Sequence, residues 1–159
     1  MNAIAAPANP TGPVPLDPGA RAWALAAAAL ALLPLLLTLP PRLGLGLGLA
    51  AAATTSVAWR HRFPGGLRAL LTLAMIAAVF AVMGARLGRD TGSALLAAML
   101  AIKPSELRSL RDARSLVGFA LFAPFAAFLL DQGPLVMASA LVAVLAGLLA
   151  LQRLADLEG

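Results

Sequence analysis

Residues 22–39 read AWALAAAALALLPLLLTL, an unbroken apolar run from which the fold class can be argued. At about 1.5 Å of rise per residue, a helix of this length nearly crosses a hydrocarbon core about 30 Å thick. Further apolar runs lie at residues 43–59, 69–85, 117–130 and 135–151, with a shorter one at 91–102. Lipid offers no partner for backbone N–H and C=O groups, so each crossing segment should be helical. The sequence therefore predicts an all-α, polytopic integral membrane helix bundle with five or six membrane segments.

The composition supports the same fold class. Of the 159 residues, 61% are hydrophobic and only 12% are charged, whereas a soluble domain averages about 45–50% apolar and about 25% charged residues. These values exclude an ordinary soluble domain, a disordered chain and a collagen-like chain. The net charge of +5 comes from basic residues that apolar runs separate, so no nucleic-acid partner is predicted. The expected partner is the lipid bilayer.

The first twenty residues differ from the rest of the chain. They contain five prolines, which fix φ and remove backbone donors, so residues 1–20 are predicted to be a disordered Pro-rich tail and residues 21–159 the membrane helix bundle. The tail lacks the basic start of a secretory signal, which favours a first span that is retained. Pro34 is expected to kink this span, and Pro40 and Pro41 to end it.

The basic residues predict an orientation. If all six segments cross, nine basic residues lie on the side of both termini and three on the other side. The nine are Arg21, Arg60, Arg62, Arg68, Lys103, Arg108, Arg111, Arg114 and Arg153, and the three are Arg42, Arg86 and Arg89. The positive-inside rule then places both termini in the cytoplasm, in a multi-pass protein of the bacterial inner membrane.

The short segment 91–102 leaves two topologies open. A dozen helical residues span only about 18 Å, which favours a segment that enters and returns. The basic link after it favours a full crossing, which is the topology we expect. Under full crossing, Arg89 cannot meet Glu106, and Arg89 should pair with Asp90. The paired set at the other end should be Lys103, Glu106, Arg108, Arg111 and Asp112.

The link at residues 103–115, KPSELRSLRDARS, is the longest polar stretch between the apolar runs. Leu107, Leu110, Ala113 and Val117 fall roughly on one side, which is typical of a short interfacial helix that leads into the next span. A solvated connector with topogenic charge is the alternative.

The inventory of reactive groups is small. The chain has no Cys, no Tyr and one His, which excludes disulfides, thiolate nucleophiles and multi-His or Cys-type metal sites. His61 and Ser56 lie on different helical faces, so a Ser–His nucleophile is not expected. No apolar run contains an ionisable residue, which weighs against a pump or a proton-coupled transporter. We expect no catalytic residue, no metal, no cofactor and no small-molecule substrate.

Small and hydroxylated residues allow two interpretations each. Thr54, Thr55 and Ser56 either hydrogen-bond another helix or satisfy carbonyls of their own helix, and the second is favoured. The G-xxx-G pairs at Gly44 and Gly48, and around Gly88, either let helices approach closely or reflect an Ala- and Gly-rich composition. Trp23 and Trp59 lie at span ends, where amphipathic rings favour the interface.

Residues 87–132 contain a series of short motifs in a fixed order. A Gly-Arg-x-x-Gly segment precedes Leu-Leu-x-x-Met, then Lys-x-x-Glu-Leu-Arg, then Arg-Asp, then an apolar span that ends near a Gln. The polar and glycine positions are Gly88, Arg89, Gly92, Lys103, Glu106, Arg108, Arg111, Asp112 and Gln132. This order resembles the N-terminal membrane domain of TgpA-like bacterial membrane transglutaminases, over roughly residues 25–151.

The resemblance implies a larger architecture, in which a membrane bundle precedes an extracytoplasmic transglutaminase-like domain with a Cys-His-Asp triad. Because this chain has no Cys, no catalytic residue carries over, and the chain is not expected to be an enzyme. The function implied is a non-catalytic membrane anchor that positions an extracytoplasmic enzyme domain in cis. The alternative is a stand-alone small polytopic protein, such as a transporter subunit or an assembly partner.

Overall fold

The computed structural model describes residues 14–157, and within that range the chain is helical apart from turns and one isolated bridge between Pro15 and Ser109. Its elements are α1 (Pro18–Thr38), α2 (Pro41–Arg60), α3 (Gly65–Met83), α4 (Arg89–Ile102), a 3₁₀ turn (Lys103–Glu106), α5 (Leu110–Ala120), α6 (Phe122–Leu130) and α7 (Pro134–Asp156). The predicted all-α fold is confirmed for this part of the chain.

Prolines set several of the helix boundaries. Pro18, Pro41 and Pro134 each begin a helix, where the missing N–H would have no partner in any case. Asp17 accepts a hydrogen bond from the Gly19 N–H at 3.0 Å and caps α1. Residues 1–13 of the predicted tail lie outside the described residues, and α1 starts at Pro18, inside the range assigned to the tail.

Prolines inside helices have different effects. α1 continues through Pro34 as far as Thr38, so this proline does not end the helix. α5 and α6 are separated at Leu121, three residues before Pro124, which cannot donate to the carbonyl of Ala120.

Contacts between helix termini define two ends of the bundle. Arg21, near the start of α1, donates to the carbonyl of Ala58 at the end of α2. Arg114, in α5, donates to the carbonyl of Leu154 near the end of α7 at 3.3 Å. We call this the basic end, because the segments that meet there or adjoin it carry the nine basic residues predicted for one side.

The opposite end is defined by the start of α4 and the end of α6. Arg89 donates to the carbonyl of Leu129 at 3.3 Å. Met83, Asp90 and Leu130 line one cavity there together with the turn between α1 and α2. The chain thus runs between the two ends six times, as α1, α2, α3, α4 with the 3₁₀ turn, α5 with α6, and α7.

The course of α4 answers the question that the length of segment 91–102 left open. Arg89 begins the helix at the opposite end, whereas Pro104, just after it, lines a cavity with Arg21 and Ala58 at the basic end. The segment therefore traverses the bundle and does not return to the end where it started.

α1 is the central helix, because it packs against α2, α4, α5, α6 and α7, most extensively against α7. Its buried face consists largely of alanines, Ala20, Ala24, Ala27, Ala28 and Ala31. The buried face of α7 likewise contains Ala140, Ala143, Gly147 and Ala150. Small side chains at helical spacing let two backbones approach closely, so the alanine richness of these segments serves their packing.

Within residues 14–157, four helical segments are long and apolar enough to cross a membrane, namely α1, α3, α5 taken together with α6, and α7. α4, at 14 residues, is too short by the same measure. In an apolar 18-residue stretch of each helix, 6% of the residues are buried in α3 and 44% are buried in α1. α3 packs mainly on α4 and is therefore a peripheral helix with an exposed apolar surface.

The two sets of G-xxx-G glycines have different surroundings. A Cβ atom on Gly44 would lie 2.6 Å from the backbone oxygen of Leu36, and one on Gly48 would lie 3.3 Å from the Leu36 side chain. Cβ atoms on Gly88 and Gly92 would meet nothing within 4 Å. The close-approach interpretation thus holds for α2 and not around Gly88.

Two of the three hydroxyls singled out in α2, those of Thr54 and Ser56, satisfy their own helix, as the favoured interpretation predicted. Thr54 donates to the carbonyl of Ala50 and Ser56 to that of Ala52, each at 2.7 Å.

Candidate functional site

The described residues do not form the catalytic pair or the metal site that were considered for this sequence. Among residues 14–157, no group of three or more His, Asp or Glu side chains could hold a metal ion. His61 is exposed just after α2, and the Ser56 hydroxyl donates within its own helix. The described residues therefore offer neither a Ser–His pair nor a metal centre.

The family-motif residues separate into two groups. Gly88, Arg89, Gly92 and Gln132 lie at or near the opposite end, and Gln132 is exposed in the turn between α6 and α7. Arg89 donates to the Leu129 carbonyl, and in the described part of the chain it forms no ion pair with Asp90. The expected Arg89–Asp90 pair is therefore wrong. Its place is taken by a contact that ties the start of α4 to the end of α6.

The other group lies at the basic end and contains Lys103, Glu106, Arg108, Arg111 and Asp112. Lys103 and Glu106 form an ion pair at 2.6 Å, with side chains 33% and 41% exposed. Arg108 reaches the carbonyl of Phe63 at 3.5 Å. Arg111 is exposed. The mutual network expected among the five side chains thus reduces, within the described residues, to one ion pair.

Asp112 acts on the backbone instead of on a neighbouring arginine. Its carboxylate accepts from the backbone N–H groups of Ser109 at 2.9 Å and Arg108 at 3.2 Å, while the Ser109 hydroxyl accepts from the Asp112 N–H at 3.2 Å. This reciprocal arrangement is a capping box, which satisfies donors that the first turn of α5 would leave unpaired. Ser-x-x-Asp before an apolar run is the sequence signal that could have predicted it.

The link between α4 and α5 combines features of both interpretations made from the sequence. A 3₁₀ turn is followed by extended residues, and α5 begins only at Leu110. Leu107, Leu110, Ala113 and Val117 are all buried, which confirms that they share one side. Because this apolar side packs into the bundle, the link is part of the helix bundle and not a free connector.

Both tryptophans lie under arginines at the basic end. The Arg21 guanidinium carbon is 4.9 Å from the centre of the Trp59 ring, and that of Arg153 is 5.9 Å from the Trp23 ring. Both distances are within the range of cation–π attraction. The Arg21–Trp59 contact joins α1 to α2, as does the hydrogen bond from Arg21 to the carbonyl of Ala58, 37 positions away.

A cavity of about 170 Å³ opens beside Arg21. Its polar lining consists of Arg21, His61, Arg62, Ser105 and Arg108, together with the backbone of Ala58. The Ser105 hydroxyl oxygen and the Arg21 Nε are buried and have no hydrogen-bond partner within the described range. The charge pattern of the sequence had placed Arg21, Arg62 and Arg108 on one side of the bundle but had given Ser105 no role. The cavity itself could not be predicted, because it depends on contacts between segments that lie far apart in the chain.

Comparison with known proteins gives one match. The family model described as the TgpA N-terminal domain matches residues 23–158, which is most of the chain. No curated protein and no solved structure is similar enough to match.

Proposed function

The chain belongs to the family of TgpA N-terminal domains, and we propose that it is a membrane-embedded, non-catalytic anchor. In this proposal it positions a transglutaminase-like enzyme domain on the extracytoplasmic side of the bacterial inner membrane. The match over residues 23–158 carries the proposal, because the family is named for the N-terminal part of a larger protein. The helical bundle and its apolar surface support it.

The outer surface of the bundle supports a bilayer environment. Large apolar side chains are exposed on several helices: Leu45 70%, Leu49 71%, Leu70 64%, Leu73 65% and Leu141 61%. A soluble monomer rarely exposes contiguous apolar patches larger than a few hundred Å². Hydrocarbon chains would cover this surface at no cost in hydration, which is the state expected of a protein with four candidate spans.

The segregation of charge supports an orientation. Segments with nine basic residues meet at or adjoin the basic end, against three at the opposite end. Since positive charge is enriched on the cytoplasmic side, we place the basic end in the cytoplasm. The opposite end, with the α1–α2, α3–α4 and α6–α7 connections, would then face outward.

This orientation constrains how an enzyme domain could be attached. α7 ends at the basic end, where the Leu154 carbonyl accepts from Arg114. A domain that follows α7 in cis and works outside the cytoplasm would therefore need an odd number of further crossings. The proposal thus requires at least one more span between this bundle and the enzyme domain.

Two experiments test the anchor. In the first, the chain expressed in bacteria should stay in the membrane pellet after alkaline carbonate extraction, and release into the supernatant would contradict membrane embedding. In the second, the gene is read beyond codon 159. A continuing frame that encodes another span and then Cys, His and Asp in a soluble domain supports anchoring in cis. A stop followed by an unrelated gene favours the stand-alone polytopic protein.

A further inference from the structure

The cavity at the basic end has a lining that neither anchoring nor helix packing requires. Three arginines, Arg21, Arg62 and Arg108, contribute to one cavity although they come from α1, the α2–α3 turn and the link before α5. No aspartate or glutamate is among the described residues that line it. Such a concentration of positive charge is unfavourable unless an anion offsets it.

The nearby acidic groups are engaged elsewhere. Glu106 pairs with Lys103, Asp112 caps the backbone of α5, and Asp17 caps the backbone of α1. These three carboxylates, which are the nearest in sequence to Arg21, Ser105 and Arg108, therefore do not neutralise the charge of the cavity.

Two buried polar atoms of residues that line the cavity have no hydrogen-bond partner among the described residues. Ser105 is 6% exposed, lines the cavity and has no partner for its hydroxyl among the described residues. The Arg21 Nε is also buried without a partner, although its Nη2 donates to the Ala58 carbonyl. Leaving a buried donor unpaired costs about 1–3 kcal/mol, so an acceptor in the cavity that both residues line would be favoured.

The arginine at the rim is available for a ligand. Arg108 is exposed, and the hydrogen bond from its guanidinium to the Phe63 carbonyl is 3.5 Å long, which is beyond the usual range for a strong N–H···O bond. A guanidinium carries five N–H donors in a planar fork that matches the oxygens of a phosphate. Arg108 can therefore close over an anion from the solvent side.

The size of the cavity fits the same chemistry. Its volume of about 170 Å³ is well above the ~30 Å³ that one water molecule occupies, and it accommodates the five heavy atoms of a phosphate group. We propose that this cavity is a phosphate-binding site, in which Arg21 and Ser105 donate from the buried side and Arg62 and Arg108 from the rim. The phosphate belongs either to an anionic lipid headgroup or to a free phosphorylated compound.

The site contains its own spectroscopic reporter. Trp59 lies under the Arg21 guanidinium, so a ligand that draws Arg21 towards the cavity should change the emission of this ring. In the background W23F, Trp59 is the single tryptophan. The full chain in detergent is titrated with inorganic phosphate, with sodium chloride at matched ionic strength as the blank. Calorimetry follows the same titration without relying on the ring.

The variants separate a built site from general positive charge. S105A and R108Q should each weaken phosphate binding about tenfold or more, as expected for the loss of a hydrogen bond to a charged group. R111Q removes the same charge from an exposed residue at the same end that does not line the cavity, and should change binding by less than about twofold. Circular dichroism confirms that each variant folds. S105A should also leave the unliganded protein as stable as before or more so, because it removes an unpaired buried hydroxyl.

A second arm identifies the source of the phosphate. The same background is placed in lipid nanodiscs with phosphatidylglycerol or with phosphatidylcholine alone. A saturable response to inorganic phosphate indicates a free phosphorylated ligand, and a response only to phosphatidylglycerol, lost in R108Q, indicates a lipid headgroup. The absence of a saturable response to both probes overturns the proposal, as does equal weakening by R108Q and R111Q.

Discussion

The backbone oxygen of Leu36 in α1 lies where a Cβ atom of residue 44 in α2 would be 2.6 Å away. Real Cβ atoms essentially never approach a backbone oxygen so closely, so α1 and α2 can pack at this point only with glycine at position 44. Gly48, one turn later, is close to the side chain of the same leucine. The approach of the two helices therefore depends on these two glycines.

The G44A variant should lower the thermal unfolding midpoint of the detergent-solubilised chain, because α1 and α2 must separate to admit the methyl group. G46A is the matched control, since a Cβ atom there meets nothing within 4 Å. Alanine favours a helix over glycine by about 1 kcal/mol, so G46A should be neutral or stabilising. Equal midpoints for G44A and G46A would contradict the close approach.

The capping box predicts that S109A and D112A each destabilise the protein by about 1 kcal/mol, because each leaves first-turn donors of α5 unpaired. S115A is the control, since Ser115 is exposed in the same helix. Equilibrium unfolding in mixed micelles measures the three differences. Destabilisation by S115A as large as that by S109A would show that the hydroxyl at 109 has no special role.

The Lys103–Glu106 ion pair should contribute little to stability despite its short distance. The side chains of Lys103 and Glu106 are 33% and 41% exposed, and such pairs typically contribute under about 1 kcal/mol. A double-mutant cycle with K103M and E106Q measures the coupling free energy. A coupling well above 1 kcal/mol would mean that the pair is shielded from solvent in the native environment.

The orientation can be tested with single cysteines, because the native chain has none. With a membrane-impermeant maleimide on intact spheroplasts, R86C and Q132C should be labelled, since both positions belong to connections at the opposite end. R60C and Q152C should be labelled only after the membrane is permeabilised. Labelling of R60C in intact spheroplasts would show that the orientation is the opposite of the one proposed.

The purified chain should show no transglutaminase, protease or amidase activity. It has no Cys, its one histidine, His61, is exposed, and the hydroxyl of Ser56 donates within its own helix. Assays with a glutamine donor substrate and with a labelled peptide check this. Turnover above the blank that survives repurification would show that other groups are catalytic.

The fold class followed from local patterns. The apolar runs predicted the helices, and the alternation of six crossing segments predicted which connections would share an end. The basic residues predicted an orientation. The buried side formed by Leu107, Leu110, Ala113 and Val117 was also correctly predicted. Helical spacing places Leu110, Ala113 and Val117 together, whereas Leu107 joins them from the extended residues before α5. The match of the family model over residues 23–158 confirms the resemblance seen in the motif order.

The candidate site was predicted less well. The charged residues of the motifs were expected to pair with one another, yet Arg89 and Arg108 both donate to backbone carbonyls about 40 positions away. Arg21 was predicted only as one of the basic residues of one side, and Ser105 was not singled out. Every residue has a backbone carbonyl, so the type of residue does not show which carbonyl will accept a hydrogen bond from an arginine.

By itself, the sequence determined the helices, their apolar faces, the charge difference between the two ends and the lack of thiol chemistry, because each of these depends on residue type and on spacing within one segment. Tertiary structure decided the course of α4, for which length and charge gave opposite indications, through contacts of Arg89 at one end and Pro104 at the other. It also decided which glycines matter, since Gly44 faces a neighbouring backbone and Gly88 faces open space. Tertiary structure also decided the phosphate-sized cavity. Its three arginines come from segments that only the packing of α1, α2 and the link before α5 brings together.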